Sequence, residues 1–352
     1  MRNYKLIQSP HPLTQSLLTF SQREKVFPSP SGRGGSVLRQ WVRAVFCILI
    51  FVSALPASAS SVVDLTEIGV GARPLGMGKA FNSIADDGSA AFTNPAGLNS
   101  VKKFNVISMS GNLIGEFPYT MLGGAYRSQV GVFGFGYVGS SAGGIREAVL
   151  VNGTPEVTGN EANYGNTTLI FSYANDAKEI DYIKKINFLT ERNAKVGANL
   201  KLVSHDFSGG ASFEGGNSSG FDVDLGAIFP VKENLTGSFV IKNIIPGNNV
   251  GADELPMALG GGVAYKLPER DLITAADAEI NNGAFLLHLG AEWSPMKMLF
   301  VRGGLDQNAS GFNLALGLGT KYRGFTFDYA YHTYAELSEF TTHYFSLGYV
   351  GE

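Results

Sequence analysis

Few residues in this chain have the types and spacing that chemistry needs. Gly69, Gly71, Gly76 and Gly78 crowd one short stretch, as a phosphate-cradling loop would. Pro74 breaks the G-x-G-x-x-G spacing, however, and no strand–helix unit surrounds it. Close backbone packing is the better reading of these glycines. His205, His288, His332 and His343 are isolated, without the H-x-x-E-H or cysteine partners of a zinc site. Ser204 and His205 adjoin, but successive strand residues face opposite sides, so they make no nucleophile–base pair. Adjacent Asp86 and Asp87 suit helix capping and anchoring better than acid–base work. No nucleophile, base and orienting group stand together. The sequence predicts no enzyme, no catalytic residue, no metal site and no cofactor.

The elements that carry these residues begin after an export signal. Arg39 and Arg43 precede the apolar run Ala44–Leu55, and Ala57-Ser58-Ala59 follows it. That order of charge, short apolar stretch and small-residue cleavage site predicts a secretory signal peptide over 37–59. The run is too short for a spanning helix, which takes about 20 residues; a retained anchor is the alternative. Residues 1–36 are rich in Pro, Ser and Gly and read as an over-extended start or a disordered stretch. The single cysteine, Cys47, lies inside the signal, so the exported part must be stable without disulfides. Seven of the 27 basic residues and one of the 30 acidic ones precede Ala59, which leaves a net charge of −9 beyond it. That balance argues against nucleic acid as a partner.

From Val101 onward the period is two, the signal of a strand with two different faces. "FNLALGLGTKY" sets Phe312, Leu314, Leu316 and Leu318 against Asn313, Ala315, Gly317, Gly319 and Lys321. "FDVDLGAIF" alternates in the same way over Phe221–Phe229. A soluble sandwich would turn the apolar face inward and coat the other with charge. A membrane barrel turns it outward to lipid and keeps a polar interior. Charged residues make up only 16% of the chain and glycines number 45, which leans towards the barrel. Fourteen strands are expected, centred near 107, 123, 135, 171, 200, 225, 240, 262, 276, 290, 303, 317, 329 and 346. Alternate connections are tight, while Ser140–Asn166, Ser208–Ser219, Ile245–Pro256 and Ala335–Thr341 read as long loops. Two connections depart from this asymmetry. Asn281–Ala284 is tight on the long side. Asp176–Asn193 is long on the short side, and Ile180, Ile183, Ile186 and Leu189 in it predict a short amphipathic helix. The fold class is therefore all-β: a 14-stranded antiparallel transmembrane β-barrel over 101–352.

A barrel that wide is not filled by its wall side chains and holds either a channel or a plug. Residues 60–100, compact and small-residue-rich, suit an N-terminal hatch inside the lumen. Asp86 or Asp87 would cap a short helix through Ala90–Thr93, and Pro95 would hold Asn94 extended and end it.

The stretch "GARPLGMGKAF…IADDGSAAFTNPAGL" also resembles the N-terminal hatch of FadL-type outer-membrane transporters and their PorV/PorQ relatives. The likeness is sharp over residues 69–98; Lys79 departs from it, standing where a small residue is expected. It marks Gly76, Gly78, Asp86, Asp87, Asn94, Pro95, Ala96 and Gly97 as the hatch motif. It implies an outer-membrane location, contact with outer-membrane lipid, and passive, hatch-gated passage of small hydrophobic molecules, fatty-acid-like or hydrocarbon. The alternative it implies is an accessory of type IX secretion or a surface-anchoring barrel, whose partners would be secretion-system or surface proteins. In that family a kink in the third strand opens a side window. The third strand here carries Gly131, Gly134, Gly136 and Gly139, which makes them a candidate lateral opening; close packing of hatch against wall is the other reading.

Overall fold

The computed structural model describes residues 64–351, apart from 114–115, 153, 210–215, 252, 309–310 and 335–340. The expected signal peptide at 37–59 and the stretch 1–36 lie outside the described residues. Fourteen antiparallel strands form a closed barrel. They are β1 (Phe104–Leu113), β2 (Phe117–Ser128), β3 (Gly131–Val151), β4 (Thr154–Asp176), β5 (Lys195–Ser208), β6 (Ser218–Lys232) and β7 (Leu235–Lys242), then β10 (Ala258–Leu267), β11 (Leu272–Asn281), β12 (Ala284–Met296), β13 (Leu299–Asn308), β14 (Gly311–Tyr322), β15 (Phe325–Thr333) and β16 (Thr341–Gly351). Each of the fourteen expected strand centres falls in one of them. Two short strands, β8 (Asn249–Val250) and β9 (Asp253–Glu254), make a separate hairpin in the connection between β7 and β10. The ring closes where Phe104 of β1 pairs with Gly351 of β16.

The structure decides which face looks out. On β14, Leu316 is 48% exposed whereas Asn313 is 2% exposed. On β16, Phe345, Leu347 and Tyr349 are exposed while Tyr344 and Ser346 are buried. Apolar surface costs about 25 cal/mol per Å² when left in water, so a belt of such side chains is stable against hydrocarbon. Closure leaves no strand edge unpaired, as a spanning sheet requires.

Two expectations are corrected. Ser140–Asn166 is not a loop: β3 and β4 run on as one ribbon whose register passes from Ser140↔Asn166 to Val151↔Thr154. Its register shifts between Ala142 and Ile145 and between Arg146 and Ala148, and pairing resumes after each. Its Gly-, Ser- and Asn-rich composition hides the alternation, and the cross-strand ladder holds it extended regardless. The connection from β4 to β5 is not one continuous helix but two 3-10 turns, Ala177–Glu179 and Ile183–Lys185, followed by a short α-helix, Asn187–Glu191. Ile180, Ile183 and Leu189 still pack together beside Val196, whereas Ile186 is exposed.

The segment Asp64–Lys103 contains short helical turns at Leu65–Ile68, Ala72–Gly76, Ala90–Thr93 and Pro95–Ser100. It meets Gly123 of β2, Gly134 of β3, Gly197 of β5, Gly226 of β6, Gly290 of β12, Gly304 of β13 and Gly317 of β14. One short segment can touch the same face of strands round a closed ring only from within it.

Candidate functional site

The inner wall is stripped of side chains where this leading segment runs closest. A Cβ on Gly76 would stand 3.0 Å from the Cα of Gly317. Gly78 has φ +58, and a Cβ there would stand 2.6 Å from the Leu305 nitrogen. Gly290 and Gly304 leave room on the wall for the backbone of Met77 and Gly78. Small residues on both surfaces thus permit backbone-to-backbone packing that any side chain would prevent.

The Asn94–Gly97 element is held by hydrogen bonds and shape. Asn94 is extended, with φ −142 and ψ 105, and its Oδ1 accepts from the Ala96 amide. Its Nδ2 donates to the Asn82 carbonyl at 3.2 Å and to the Ala227 carbonyl of β6 at 3.3 Å. Pro95 and Ala96 lie on Gly197, and a Cβ on Gly97 would stand 2.7 Å from the Ala85 Cβ. The helix Ala90–Thr93 sits just before this element. Asp87 Oδ1 accepts from the amide and hydroxyl of Ser89, the residue that opens that helix. Asp86 makes no such bond; it pairs with Arg73 at 2.6 Å.

Arg73 joins the segment to the wall. Its Nε and Nη2 donate to the two carboxylate oxygens of Glu292 on β12, at 2.8 and 3.0 Å. This paired geometry is the strong form of an arginine–carboxylate contact. Arg302 also donates to Glu292, at 2.6 Å, and to Asp328 at 2.7 Å. Elsewhere Lys201 on β5 lies 2.6 Å from Asp64 and 3.1 Å from Asp224, all buried. Asp277 on β11 accepts the amides of Phe81 and Asn82, at 2.7 and 2.8 Å. Lys79, the departure from the resembled motif, stands 3.2 Å from Asp306 on β13. A small residue at 79 would leave that carboxylate with two histidine neighbours, His288 at 2.8 Å and His332 at 3.3 Å, and no lysine.

Titration within the segment follows its surroundings. Burial opposes ionisation of Asp64, yet the Lys201 ammonium and bonds from Thr66 hold its carboxyl below the ordinary value. Burial first and the Asp64 charge second push the Glu67 carboxyl up to about 7.

Sequence reasoning singled out the small residues and missed Arg73, Asp64, Lys201, Asp277 and Glu292. The one available signal was Arg73 itself, a cation flanked by Gly71, Pro74 and Gly76 in an otherwise apolar stretch.

The candidate opening at Gly131, Gly134, Gly136 and Gly139 lies in a continuous ladder. β3 pairs with β2 from Gly131 to Ser140 and with β4 from Val132 to Ala142 without a break. A Cβ on Gly134 would stand 2.6 Å from Leu98, and one on Gly136 would stand 2.8 Å from the Phe92 ring. These two glycines receive the leading segment, and the wall is closed at that strand. At the short-turn end a cavity of about 560 Å³ opens between the segment and the wall, lined by Arg73, Asp86, Lys102, Arg302, Lys321 and Asp328. Among the described residues no group of three or more His, Cys, Asp or Glu is placed to hold a metal ion.

No family model matches the sequence, and no curated protein matches it. Solved structures do. The Ralstonia pickettii toluene transporter TbuX aligns over 81% of this chain and 99% of its own, with a TM-score of 0.57 and 13% identity. The fold is one that a toluene transporter also has. The CymD monoaromatic hydrocarbon channel gives a TM-score of 0.55 at 14% identity, over 82% of this chain and 97% of its own. The Pseudomonas putida toluene transporter TodX gives 0.54 at 13%, over 82% and 98%. The 14-stranded barrel expected from the sequence is the architecture shared with these proteins.

Proposed function

We propose that this chain is a passive outer-membrane channel for small hydrophobic molecules, gated by its leading segment. In this reading residues 60–100 are the hatch, 101–352 the barrel, and 37–59 the signal that brings the chain to the outer membrane. The observation that carries it is a segment pinned inside an apolar-belted barrel by separable contacts: Arg73 to Glu292, Lys79 to Asp306, Asp64 to Lys201. Such contacts fix a stopper without making it part of the wall. The toluene and monoaromatic hydrocarbon proteins that share the fold support an aromatic hydrocarbon as the first cargo to test.

The cargo class also suits the packing. Leu65, Val70, Leu75, Phe81 and Leu98 of the segment meet Ile107, Met109, Met121 and Tyr119 of the wall in one apolar cluster. A small hydrocarbon can replace those contacts at little cost as the segment shifts, whereas a polar solute would strand their dispersion partners. Passage down a gradient needs no cofactor and no chemical step. With β3 closed, the way through lies past a displaced segment and into the cavity beside Arg73.

The test is uptake of labelled toluene by cells with and without the gene. The reading expects uptake to fall on deletion and to return with the intact chain. Unchanged uptake refutes it.

A further inference from the structure

The connection between β4 and β5 turns back along the outside of the barrel. Ile180, Ile183 and Leu189 pack with Val196, Ala227 and Phe229, which lie on outward positions of β5 and β6. Between this connection and the wall lies an apolar groove of about 290 Å³. Ala198 and Ala227 floor it beside the backbone of Gly197 and Gly226; Leu225, Phe239 and Ile241 extend it towards the belt. Those two glycines are the ones that carry Pro95 and Asn94 on their inner side. The wall carries only small residues here on both faces.

The connection has the composition of a membrane interface. Tyr182 is 87% exposed and Phe188 52% exposed, and the Arg192 guanidinium lies 5.1 Å from the Phe188 ring centre. Lys178, Lys184 and Lys185 are exposed beside them. Asp181 pairs with Lys184. Glu179 and Glu191 are the other acids of the stretch, and among the described residues Lys178, Lys185 and Arg192 make no ion pair. Aromatic rings and cations together at the end of an apolar belt mark the headgroup level. A void opening onto hydrocarbon leaves its lining without contacts until a chain enters it. The cations then select the headgroup, because acyl chains alone are indistinguishable.

We propose that this groove seats one acyl chain of a phospholipid with an anionic headgroup, whose phosphate meets the cations of the 177–194 connection. The inference rests on the chain spanning a membrane and is independent of what passes through it.

The test uses the full chain in phosphatidylcholine vesicles containing a minor share of phosphatidylglycerol that carries a diazirine on one acyl chain. After irradiation, labelled peptides are mapped by mass spectrometry. Labelling should concentrate on 173–198 and 225–241, and phosphatidylcholine with the same diazirine should label there about tenfold less. Ala227→Trp fills the groove from an outward position and should lower the labelling about tenfold. Ala198→Trp does the same should the first variant fail to fold, and Leu318→Trp on the far wall should change nothing at the groove. Lys178→Gln with Lys185→Gln should remove the headgroup preference. Labelling spread evenly round the belt, equal labelling by the two lipids, or displacement of the lipid label by toluene would overturn the proposal. The last result would make the groove a cargo site.

Discussion

Lys201 shows how much one side chain can hold. It stands between two buried carboxylates, Asp64 of the leading segment and Asp224 of the wall. Lys201→Met leaves both charges buried and facing each other, and breaking a buried pair in this way costs about 3–5 kcal/mol. Amide exchange should therefore rise over 64–70 while the barrel stays folded. Glu67 adds a pH dependence at the same place. Its carboxyl titrates near 7 in the folded chain against an ordinary 4.5. The folded form thus holds a proton that the undocked form releases, so the contribution is complete below about pH 4.5 and is lost as pH rises through 7. Protection at Leu65–Val70, measured as exchange corrected for its intrinsic rise with pH, should fall from pH 5 to pH 8, and Glu67→Gln should flatten that fall. These residues were not legible in the sequence, because Asp64 and Lys201 are 137 positions apart and Arg73 and Glu292 are 219 apart. No local spacing rule joins them.

Elements were more legible, for a physical reason. A strand announces itself by alternation within its own ten residues, so the belt face and small inner face of β14 can be read directly. The helix Ala90–Thr93 and its end at Asn94 follow from the restriction Pro95 places on its neighbour. The β3–β4 ribbon beyond Ser140 was hidden because its extension depends on partners across the ladder rather than on its own residue types. At the same strand, Gly136 illustrates what pairing leaves for side chains to do. A Cβ there would stand 2.8 Å from the Phe92 ring, and overpacking of this kind costs about 1–3 kcal/mol. Gly136→Leu should raise protease sensitivity between Ala90 and Leu98 without opening the barrel, as read by limited proteolysis beside an unchanged heat-dependent gel shift.

Across the whole molecule, the proposed function divides the work between the apolar belt, which would place the barrel in a membrane, and the inner segment, which would close it. Gating by displacement requires that the segment leave its seat. Ser83 and Ser238 offer a way to forbid this, because their hydroxyl oxygens lie 2.8 Å apart, one on the segment and one on β7. Cysteines at both positions can bridge without backbone movement if their Cα atoms lie within disulfide range, and Cys47, the chain's single native cysteine, can be replaced beforehand. The decisive measurement is uptake of labelled toluene by cells producing Ser83→Cys/Ser238→Cys, oxidised and then reduced. The account predicts that oxidised cells take up no more than cells lacking the protein and that reduction restores uptake. Equal uptake before and after reduction, with the disulfide confirmed by mass spectrometry, would contradict it.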